Sequence, residues 1–240
     1  MNIVKKVFLT LGVLMVIVTG TPLQAATPEE SFRKSYPDIP IESVTPTAIP
    51  GLYEIVSGGR IAYYAPGPEY LIIGEIVTKE KKNLTQERSS ELQGKKFKDL
   101  PLEKAVKIGS GSHTVIEITD PDCPFCRKAS DYFGKRNDVT RYIFFYPITQ
   151  LHPNAEAKVR YILCAKDRAK AYEEAMTGKL DEMKFTPCDD AAAAELFKTH
   201  QETGEKVGVA SIGTPLFMID GQVVNGANIP QIEKILGDNK

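Results

Sequence analysis

The sequence predicts an α+β protein with a small antiparallel β domain at its N-terminus and a larger α/β domain after it. Three features of the chain lead to this prediction. Short apolar and β-branched runs split by Gly and Pro occupy residues 51–78, a polar and charged stretch covers 79–102, and strand and helix patterns alternate from residue 104. These features are typical of a meander, a helical linker and an α/β layer, in that order.

The first 25 residues have the pattern of a secretory signal. Lys5 and Lys6 precede an apolar core at 7–18, and the small residues of "PLQAA" favour cleavage near Ala25. The apolar run is shorter than the roughly 20 residues of a membrane span. We therefore expect an exported protein, with an uncleaved N-terminal anchor as the alternative.

The charge balance of the chain after Ala25 argues against nucleic acid as a partner. Once Lys5 and Lys6 are excluded from the 30 basic residues, 28 remain against 31 acidic ones, whereas nucleic-acid binding depends on basic patches. The remaining length of roughly 215 residues allows one large domain or two small ones. The predicted division is a signal peptide at 1–25, an N-terminal domain at 26–80, a helical linker at 81–103 and a second domain at 104–240.

The N-terminal domain is expected to open with a helix and continue as a meander. Thr27 is a suitable helix cap, and the proline after it suits the first helical position. Strands are predicted at 51–57, 60–65 and 70–78. A domain this small buries little surface and exposes strand edges. We therefore predict a dimerisation domain, with a hairpin layer packed on the second domain as the alternative.

The elements of the linker and of the second domain are predicted from helix-capping residues and from the periodicity of apolar residues. Asn83 is a suitable cap for a linker helix over 84–93. In the second domain the predicted elements are strands at 104–109, 113–119 and 139–147, helices at 123–136, 155–165, 168–176, 189–199 and 229–236, and a hairpin at 215–224. The order is that of a thioredoxin-like domain with a helical insertion.

The stretch Cys123-Pro124-Phe125-Cys126 could be a metal knuckle, a structural disulfide or a redox site. Zinc sites usually combine two closely spaced ligand pairs, but the two other cysteines, Cys164 and Cys188, are 24 positions apart and the histidines show no ligand spacing. A permanently oxidised pair is uncommon where a strand meets a helix. The sequence therefore favours redox chemistry, with no metal and no bound cofactor.

The two cysteines are predicted to have different roles. Cys123 falls where the strand ends and the helix begins, and unpaired N–H groups and the helix dipole favour a thiolate there. Cys126 is one helical turn further on, on the same side and more buried. We expect Cys123 to attack and Cys126 to resolve.

Two features later in the chain accompany this pair of cysteines. In an oxidising compartment Cys164 and Cys188 can form a structural disulfide that stabilises the fold by about 3–4 kcal/mol, with a second redox pair as the alternative. Thr214-Pro215 directly precedes a strand and is expected to be a cis peptide, whose freed backbone can pair with substrate; an ordinary trans turn is the alternative.

Glu117 is unusual because it interrupts the apolar strand "HTVIEIT". If it is buried, it can relay the proton of Cys126. The alternative is a glutamate turned to solvent at the edge of the sheet.

The ordered set of meander, linker, "TDPDCPFC", "CAKD" with a later cysteine, and "GTP" resembles the DsbC/DsbG family of periplasmic thiol:disulfide isomerases over essentially the whole chain after Ala25. The resemblance implies a cystatin-like N-terminal domain and a V-shaped homodimer joined through it, with two catalytic domains facing a cleft for misfolded or oxidised exported proteins. It also implies that Cys123 and Cys126 are kept reduced by a membrane electron donor of the DsbD type.

Two residues depart from the isomerase pattern. Pro124-Phe125 is nearer the Pro-Tyr of DsbG-like members, which favours reduction of sulfenylated cysteines as a competing activity. Glu117 matches the buried acid of thioredoxins and DsbA-type oxidases. A DsbA-like oxidase and a redox-independent holdase therefore remain alternatives to the isomerase.

Overall fold

The computed structural model describes residues 26–182 and 184–237. It contains a four-stranded antiparallel sheet followed by a five-stranded mixed sheet with helices on both faces, which confirms the predicted α+β class. The predicted signal peptide at 1–25 lies outside the described residues. Within the described ranges, no helix has the length and apolar character needed to cross a bilayer.

The N-terminal part consists of one helix packed on a meander. Thr27 caps the helix, its hydroxyl accepting from the N–H of Glu30 while its own N–H donates to the Glu30 carboxylate. Phe32 on this helix packs in the cluster of Ile55 and Tyr64. The elements are α1 (Pro28–Ser35), β1 (Ser43–Pro46), β2 (Tyr53–Ser57), β3 (Arg60–Ala65) and β4 (Tyr70–Ile72), with the strands paired in chain order.

Two details of this sheet differ from the sequence prediction. β1 was not predicted, because it has only four residues and ends in a proline. β4 is shorter than the predicted 70–78, and the next side chain, Ile73, is 84% exposed. An apolar run had suggested a full strand, but pairing with β3 stops at Ile72, and Val77 instead forms an isolated bridge with Asn83.

The linker helix α2 (Leu84–Lys96) contacts both sheets. Toward the first, Arg88 Nε donates to Glu54 at 3.0 Å, and the hydroxyls of Thr85 and Tyr63 share a hydrogen bond. Toward the second, Phe97, the residue that caps its C-terminus, is buried in a cluster that includes Met218. The helix therefore connects the two sheets through side-chain packing as well as through the chain.

The second sheet has the strand order β5-β7-β6-β8-β9, with β6 and β7 parallel and the other pairs antiparallel. β6 is central, and its last five residues are buried. The strands are β5 (Val106–Ile108), β6 (His113–Thr119), β7 (Val139–Phe145), β8 (Leu216–Ile219) and β9 (Gln222–Asn225).

Helices cover both faces of this sheet. A 3₁₀ turn, Leu102–Lys104, precedes β5. The helices are α3 (Pro124–Gly134), α4 (Ala155–Cys164), α5 (Arg168–Met176), α6 (Lys179–Glu182), α7 (Ala191–Lys206), α8 (Val209–Ile212) and α9 (Ile229–Leu236). Since α4 to α8 lie between β7 and β8 in the chain, they form the helical insertion that the sequence predicts.

His200 on α7 is fully buried and ties this insertion to the sheet. Its Nδ1 accepts from the N–H of Phe145 at 3.1 Å, its Nε2 lies 2.9 Å from the Lys104 carbonyl, and the ring stacks on Phe145. The Nε2 nitrogen therefore carries the proton and donates it to that carbonyl. Burial lowers the pKa of His200 to about 4.

This burial predicts a pH-dependent stability. A histidine in an unfolded chain has a pKa of about 6.5, so between that pH and about 4 the unfolded state binds more protons. The contribution of His200 is complete above pH 6.5 and is lost as the pH falls toward 4, by up to about 1.4 kcal/mol per pH unit. Urea unfolding of wild type and His200→Gln at several pH values measures this, and parallel stability curves for the two proteins would contradict it.

Candidate functional site

The two unpaired cysteines of the described chain lie at the junction of β6 and α3. Cys123 is the N-cap residue of α3 and has extended backbone angles, and Pro124 takes the first helical position. A proline is well suited there because that position needs no N–H for the helix. The sulfur of Cys123 therefore faces the N-terminal end of the helix, and Cys126 follows one turn later.

The environments of the two thiols shift their pKa values in opposite directions. A hydrogen bond from the Cys126 thiol, together with the backbone N–H groups of Cys126 and Phe125, lowers the pKa of Cys123 to about 6, although burial opposes this. Burial and the proximity of Cys123 raise the pKa of Cys126 well above its ordinary value, against the smaller effects of Thr119 and the Asp120 N–H. The pair thus combines one stabilised thiolate with one protonated thiol.

The loop between β6 and Cys123 is held by the buried carboxylate of Asp120. Its Oδ1 accepts from the N–H of Asp122 at 2.9 Å, and its Oδ2 accepts from the N–H of Ile148 at 2.8 Å and lies 2.8 Å from His152 Nδ1. The Asp120 N–H itself points to the Cys126 sulfur at 3.4 Å. Asp120 therefore fixes the backbone that carries both cysteines.

The loop before β8 lies against the nucleophile. The Thr214-Pro215 peptide bond is cis, and the Cys123 thiol donates to the Thr214 carbonyl at 3.6 Å. Gly213 has a φ of 89°, a conformation that favours glycine. Of the predicted substrate-binding residues, Thr214 therefore contacts the predicted nucleophile, and Pro215 follows it through the cis bond.

Glu117 is buried in the central strand and faces a charged partner on the neighbouring strand. Arg141 Nη2 donates to Glu117 Oε2 at 2.6 Å and to the Tyr172 hydroxyl oxygen at 2.6 Å, and that hydroxyl donates to Glu117 Oε1 at 3.1 Å. The guanidinium lies between the rings of Phe133 and Tyr172. The alternative of a solvent-facing glutamate at the sheet edge is wrong, since the Glu117 side chain has no exposed surface.

These contacts also shift pKa values within the network. Burial alone would lower the pKa of Arg141, but Glu117 and Tyr172 outweigh it and raise that pKa. Burial raises the pKa of Tyr172, and both Glu117 and Cys126 add to the rise. Tyr172 is thus hydrogen-bonded to the carboxylate, and the resolving cysteine also raises its pKa.

Arg141, Tyr172 and Asp120 were not identified from the sequence. A signal existed for the first of these, because "VTRYIFF" and "HTVIEIT" each carry one charged residue inside an apolar strand, which is unfavourable unless the two charges pair. Tyr172 gave no such signal, since tyrosines are common on amphipathic helices. Asp120 stands directly after a strand, where polar site residues are frequent.

Cys164 at the end of α4 and Cys188 are joined by a disulfide bond. The bond closes the chain around α5 and α6, and Tyr172 belongs to this closed segment. No group of three or more potential metal ligands occurs within residues 26–182 and 184–237.

Comparisons with known proteins agree with this architecture. Residues 21–86 match the family described as disulfide bond isomerase protein N-terminal domain, and residues 100–238 match the thioredoxin-like domain family. A probable thiol:disulfide interchange protein DsbC of Bordetella avium is 32% identical over 145 residues, which are 59% of this chain and 51% of that protein. This chain thus spans about half the length of that relative.

Two further matches cover more of the related chain. Thiol:disulfide interchange protein DsbC of Salmonella typhimurium is 27% identical over 244 residues, 98% of this chain and 96% of that protein. A crystal structure of a disulfide interchange protein from Neisseria gonorrhoeae is 35% identical with a TM-score of 0.47, covering 57% of this chain and 96% of that one.

The sheet order, the dithiol at a helix N-terminus and the facing cis-proline define a thioredoxin-like dithiol protein. The chain belongs to the thioredoxin-like domain family, and the N-terminal match makes it similar in domain composition to the DsbC thiol:disulfide interchange proteins.

Proposed function

We propose that this protein is a periplasmic enzyme that isomerises or reduces incorrect disulfides in exported proteins through Cys123 and Cys126. The observation that supports this most directly is the opposite shift of the two thiol pKa values, to about 6 for Cys123 and well above the ordinary value for Cys126. A thiolate attacks disulfides and a thiol does not. The asymmetry therefore supports attack by Cys123 and resolution by Cys126.

The reaction begins when the Cys123 thiolate attacks one sulfur of a substrate disulfide. A mixed disulfide forms, and the other substrate sulfur leaves as a thiolate. In isomerisation that thiolate attacks a second substrate disulfide, and the newly freed sulfur finally attacks the mixed disulfide and restores Cys123. In reduction Cys126 loses its proton and attacks the Cys123 sulfur, which releases a reduced substrate and leaves an oxidised Cys123–Cys126 pair.

The substrate chain would bind along the cis-proline loop. The Thr214 carbonyl accepts from the Cys123 thiol, so a peptide extended beside Thr214 and Pro215 would bring its disulfide to that sulfur. Phe125, between the two cysteines, is 62% exposed and offers an apolar contact at the same place. This arrangement suits unfolded or misfolded proteins, because it would bind exposed backbone and apolar side chains rather than a particular sequence.

The reduction branch requires a group that accepts the proton of Cys126. Direct transfer to Glu117 is not supported by a hydrogen bond between the two residues in the described structure, where the Glu117 partners are Arg141 and Tyr172. If Glu117 takes part, the interaction runs through the Tyr172 hydroxyl, whose pKa is raised by both groups. Glu117 thus stays a proposed relay residue.

The N-terminal domain, residues 26–80, would join two copies of the chain. Tyr70, Ile72 and Ile73 on the edge strand β4 and after it are exposed, as is Val77. An exposed apolar edge is unfavourable in water and is a template for pairing. Light scattering of the protein after signal removal should give the mass of a dimer, and a monomer would contradict this part of the proposal.

A reducing partner completes the proposal. After each reduction the Cys123–Cys126 disulfide must receive two electrons and two protons from an external dithiol. A DsbD-type membrane donor fits this requirement and an exported location. Alkylation trapping in cells should find the pair mostly reduced, and loss of the donor should leave it oxidised.

The decisive test uses the unmodified protein. In a glutathione buffer, catalytic amounts should reactivate scrambled ribonuclease and speed the reduction of insulin. A protein that does neither would overturn the proposal. A double cysteine variant that still prevents aggregation and still supports the biological role would favour the holdase.

Two observations favour other candidates: Pro124-Phe125 favours a DsbG-like reductase of sulfenylated cysteines, and Glu117 favours a DsbA-like oxidase. Glu117 is fully buried beneath the dithiol, at the position where thioredoxins and DsbA-type oxidases carry their buried acid. The trapping experiment separates these activities, because an oxidase would be mostly oxidised in cells. A reductase of sulfenic acids would act on sulfenylated protein while failing to reactivate scrambled ribonuclease.

A further inference from the structure

Four charged side chains form a cluster beside the nucleophile. The Arg127 guanidinium donates from Nη2 to Asp122 Oδ1 at 2.9 Å and from Nη1 to Asp181 Oδ2 at 2.7 Å. The Lys158 ammonium donates to the same two carboxylates. We call Asp122, Arg127, Lys158 and Asp181 the Asp122 cluster.

The Asp122 end of the cluster is largely buried, whereas Asp181 reaches the surface with 39% of its side chain exposed. The Lys158 side chain is 5% exposed and that of Asp122 is 15% exposed. Pairs that are held out of water in this way are much less weakened by solvent than exposed ion pairs. Arg127 also donates from Nε to the Pro121 carbonyl at 2.8 Å, so it also holds the backbone of the loop between β6 and Cys123.

The position of Asp122 gives this cluster a chemical consequence. Asp122 directly precedes Cys123, and a carboxylate close to a sulfur opposes the formation of a second negative charge there. Two cations pointed at the Asp122 carboxylate offset that repulsion.

We propose that Arg127 and Lys158 are positioning residues that neutralise Asp122 and hold the Pro121 carbonyl, so that the Cys123 sulfur can carry negative charge next to a carboxylate. This rests on the proposed function only for the role of Cys123 as the nucleophile. The described hydrogen bonds of the two cations go to Asp122, Asp181 and the Pro121 carbonyl rather than to the reacting sulfurs. They act through Asp122.

Asp181 holds both cations in place from the other side. Arg127, followed by Lys158, keeps the pKa of Asp181 low, at about 2, so this carboxylate stays charged at any pH at which the protein would work. Asp181 lies on α6, inside the segment that the Cys164–Cys188 disulfide closes, and Lys158 lies on α4, which ends at Cys164. The helical insertion thus supplies two of the four charges beside the nucleophile.

Other charged groups near this loop are accounted for separately. Asp120 is held by His152 and by the N–H groups of Ile148 and Asp122. Cys126 acts on Cys123 through its thiol. Asp120 also contributes to the raised pKa of Arg127. Since Asp120 is the same in all the variants, comparing them reports the effect of the cluster.

The test measures the Cys123 thiol directly and needs no turnover. In a Cys126→Ser background, the rate of Cys123 alkylation by iodoacetamide is followed from pH 4 to 9 in four proteins: the background itself, Arg127→Gln, Asp122→Asn and the combination of both. Arg127→Gln should raise the pKa of Cys123. A rise of about one unit would lower the thiolate fraction at pH 6 roughly fivefold.

The combination decides whether Arg127 acts through Asp122. In the Asp122→Asn background, Arg127→Gln should shift the alkylation profile clearly less than it does with Asp122 present. Equal shifts in both backgrounds would mean that the guanidinium acts on the sulfur only directly, and no shift in either would mean that it does not act at all. Either result overturns the proposal.

Matched variants control for folding and for loss of charge in general. Arg160→Gln removes a cation from α4 that pairs with Glu156, and the alkylation profile should stay unchanged. Lys158→Gln applies the same test to the second cation. Arg127→Lys keeps the charge without the bidentate geometry, and its Cys123 pKa should lie between those of the background protein and Arg127→Gln. If wild type lacks isomerase activity while these profiles shift as expected, the proposed function fails and the cluster assignment stands.

Discussion

Cys123→Ser should abolish both scrambled-ribonuclease reactivation and insulin reduction, down to the uncatalysed rate. Disulfide exchange requires a thiolate nucleophile, and the other thiol of the pair, Cys126, is fully buried with a raised pKa. It therefore cannot replace Cys123 in the first attack. Both activities are measured side by side with wild type, and retention of either one would show that Cys123 is not the nucleophile.

Cys126→Ser is the matched variant, because it removes one sulfur and leaves the attack intact. Mixed disulfides with substrate should accumulate and be visible on non-reducing gels, since the residue that would release them is gone. Insulin reduction should fall strongly, whereas reactivation of scrambled ribonuclease should be partly retained, because isomerisation returns Cys123 through a substrate thiol. An equal loss of both activities in the two variants would contradict the division of roles.

The rate at which Cys123 is alkylated can be anticipated from its pKa of about 6. At pH 6 roughly half of Cys123 is thiolate, against about 0.3% for an ordinary cysteine with a pKa near 8.5. A thiolate of lower pKa is intrinsically less nucleophilic, with a Brønsted slope of about 0.4–0.5. The net expectation is alkylation of Cys123 roughly tenfold faster than that of a free cysteine at pH 6.

The local elements of the fold could be predicted from the sequence. Strand β6 occupies the predicted 113–119 and α5 the predicted 168–176, because apolar runs and caps of these lengths depend on neighbouring residues in the chain. The single-turn helices α6 and α8 were not predicted. Elements of four residues are held by tertiary contacts, and for α6 the contact is that of Asp181 with Arg127 and Lys158.

In the site, too, features carried by neighbouring residues could be predicted, and those that depend on tertiary contacts could not. Cys123, Cys126 and the cis-proline loop were predicted because each is carried by a short contiguous motif. The partners of Glu117 come from residues 24 and 55 positions away, so only the register of β6 against β7 and the packing of α5 bring them together. Charged residues within two apolar strands were the one sign of this network.

Arg141→Met should be among the most destabilising single substitutions in this protein. The Arg141–Glu117 pair is 2.6 Å apart, with side chains 4% and 0% exposed. Removing the cation leaves a buried carboxylate with only the Tyr172 hydroxyl as a hydrogen-bond donor among its described partners. Breaking one side of a buried ion pair typically reduces the free energy of unfolding by about 3–5 kcal/mol. Urea unfolding measures this loss as a lower midpoint with an unchanged slope.

Two further variants separate the pair from the packing around it. Replacing both members, Glu117→Leu with Arg141→Met, removes the unpaired charge and should recover much of the loss, because apolar replacements of buried ion pairs are often close to neutral. Arg160→Met removes an arginine whose partner Glu156 is half-buried, with 40% of its side chain exposed, and it should change stability by less than about 1 kcal/mol. If the double variant were as unstable as Arg141→Met alone, the loss would come from packing against Phe133 and Tyr172 rather than from the unpaired buried charge on Glu117. The ion pair would then have no special role in stabilising the central strand.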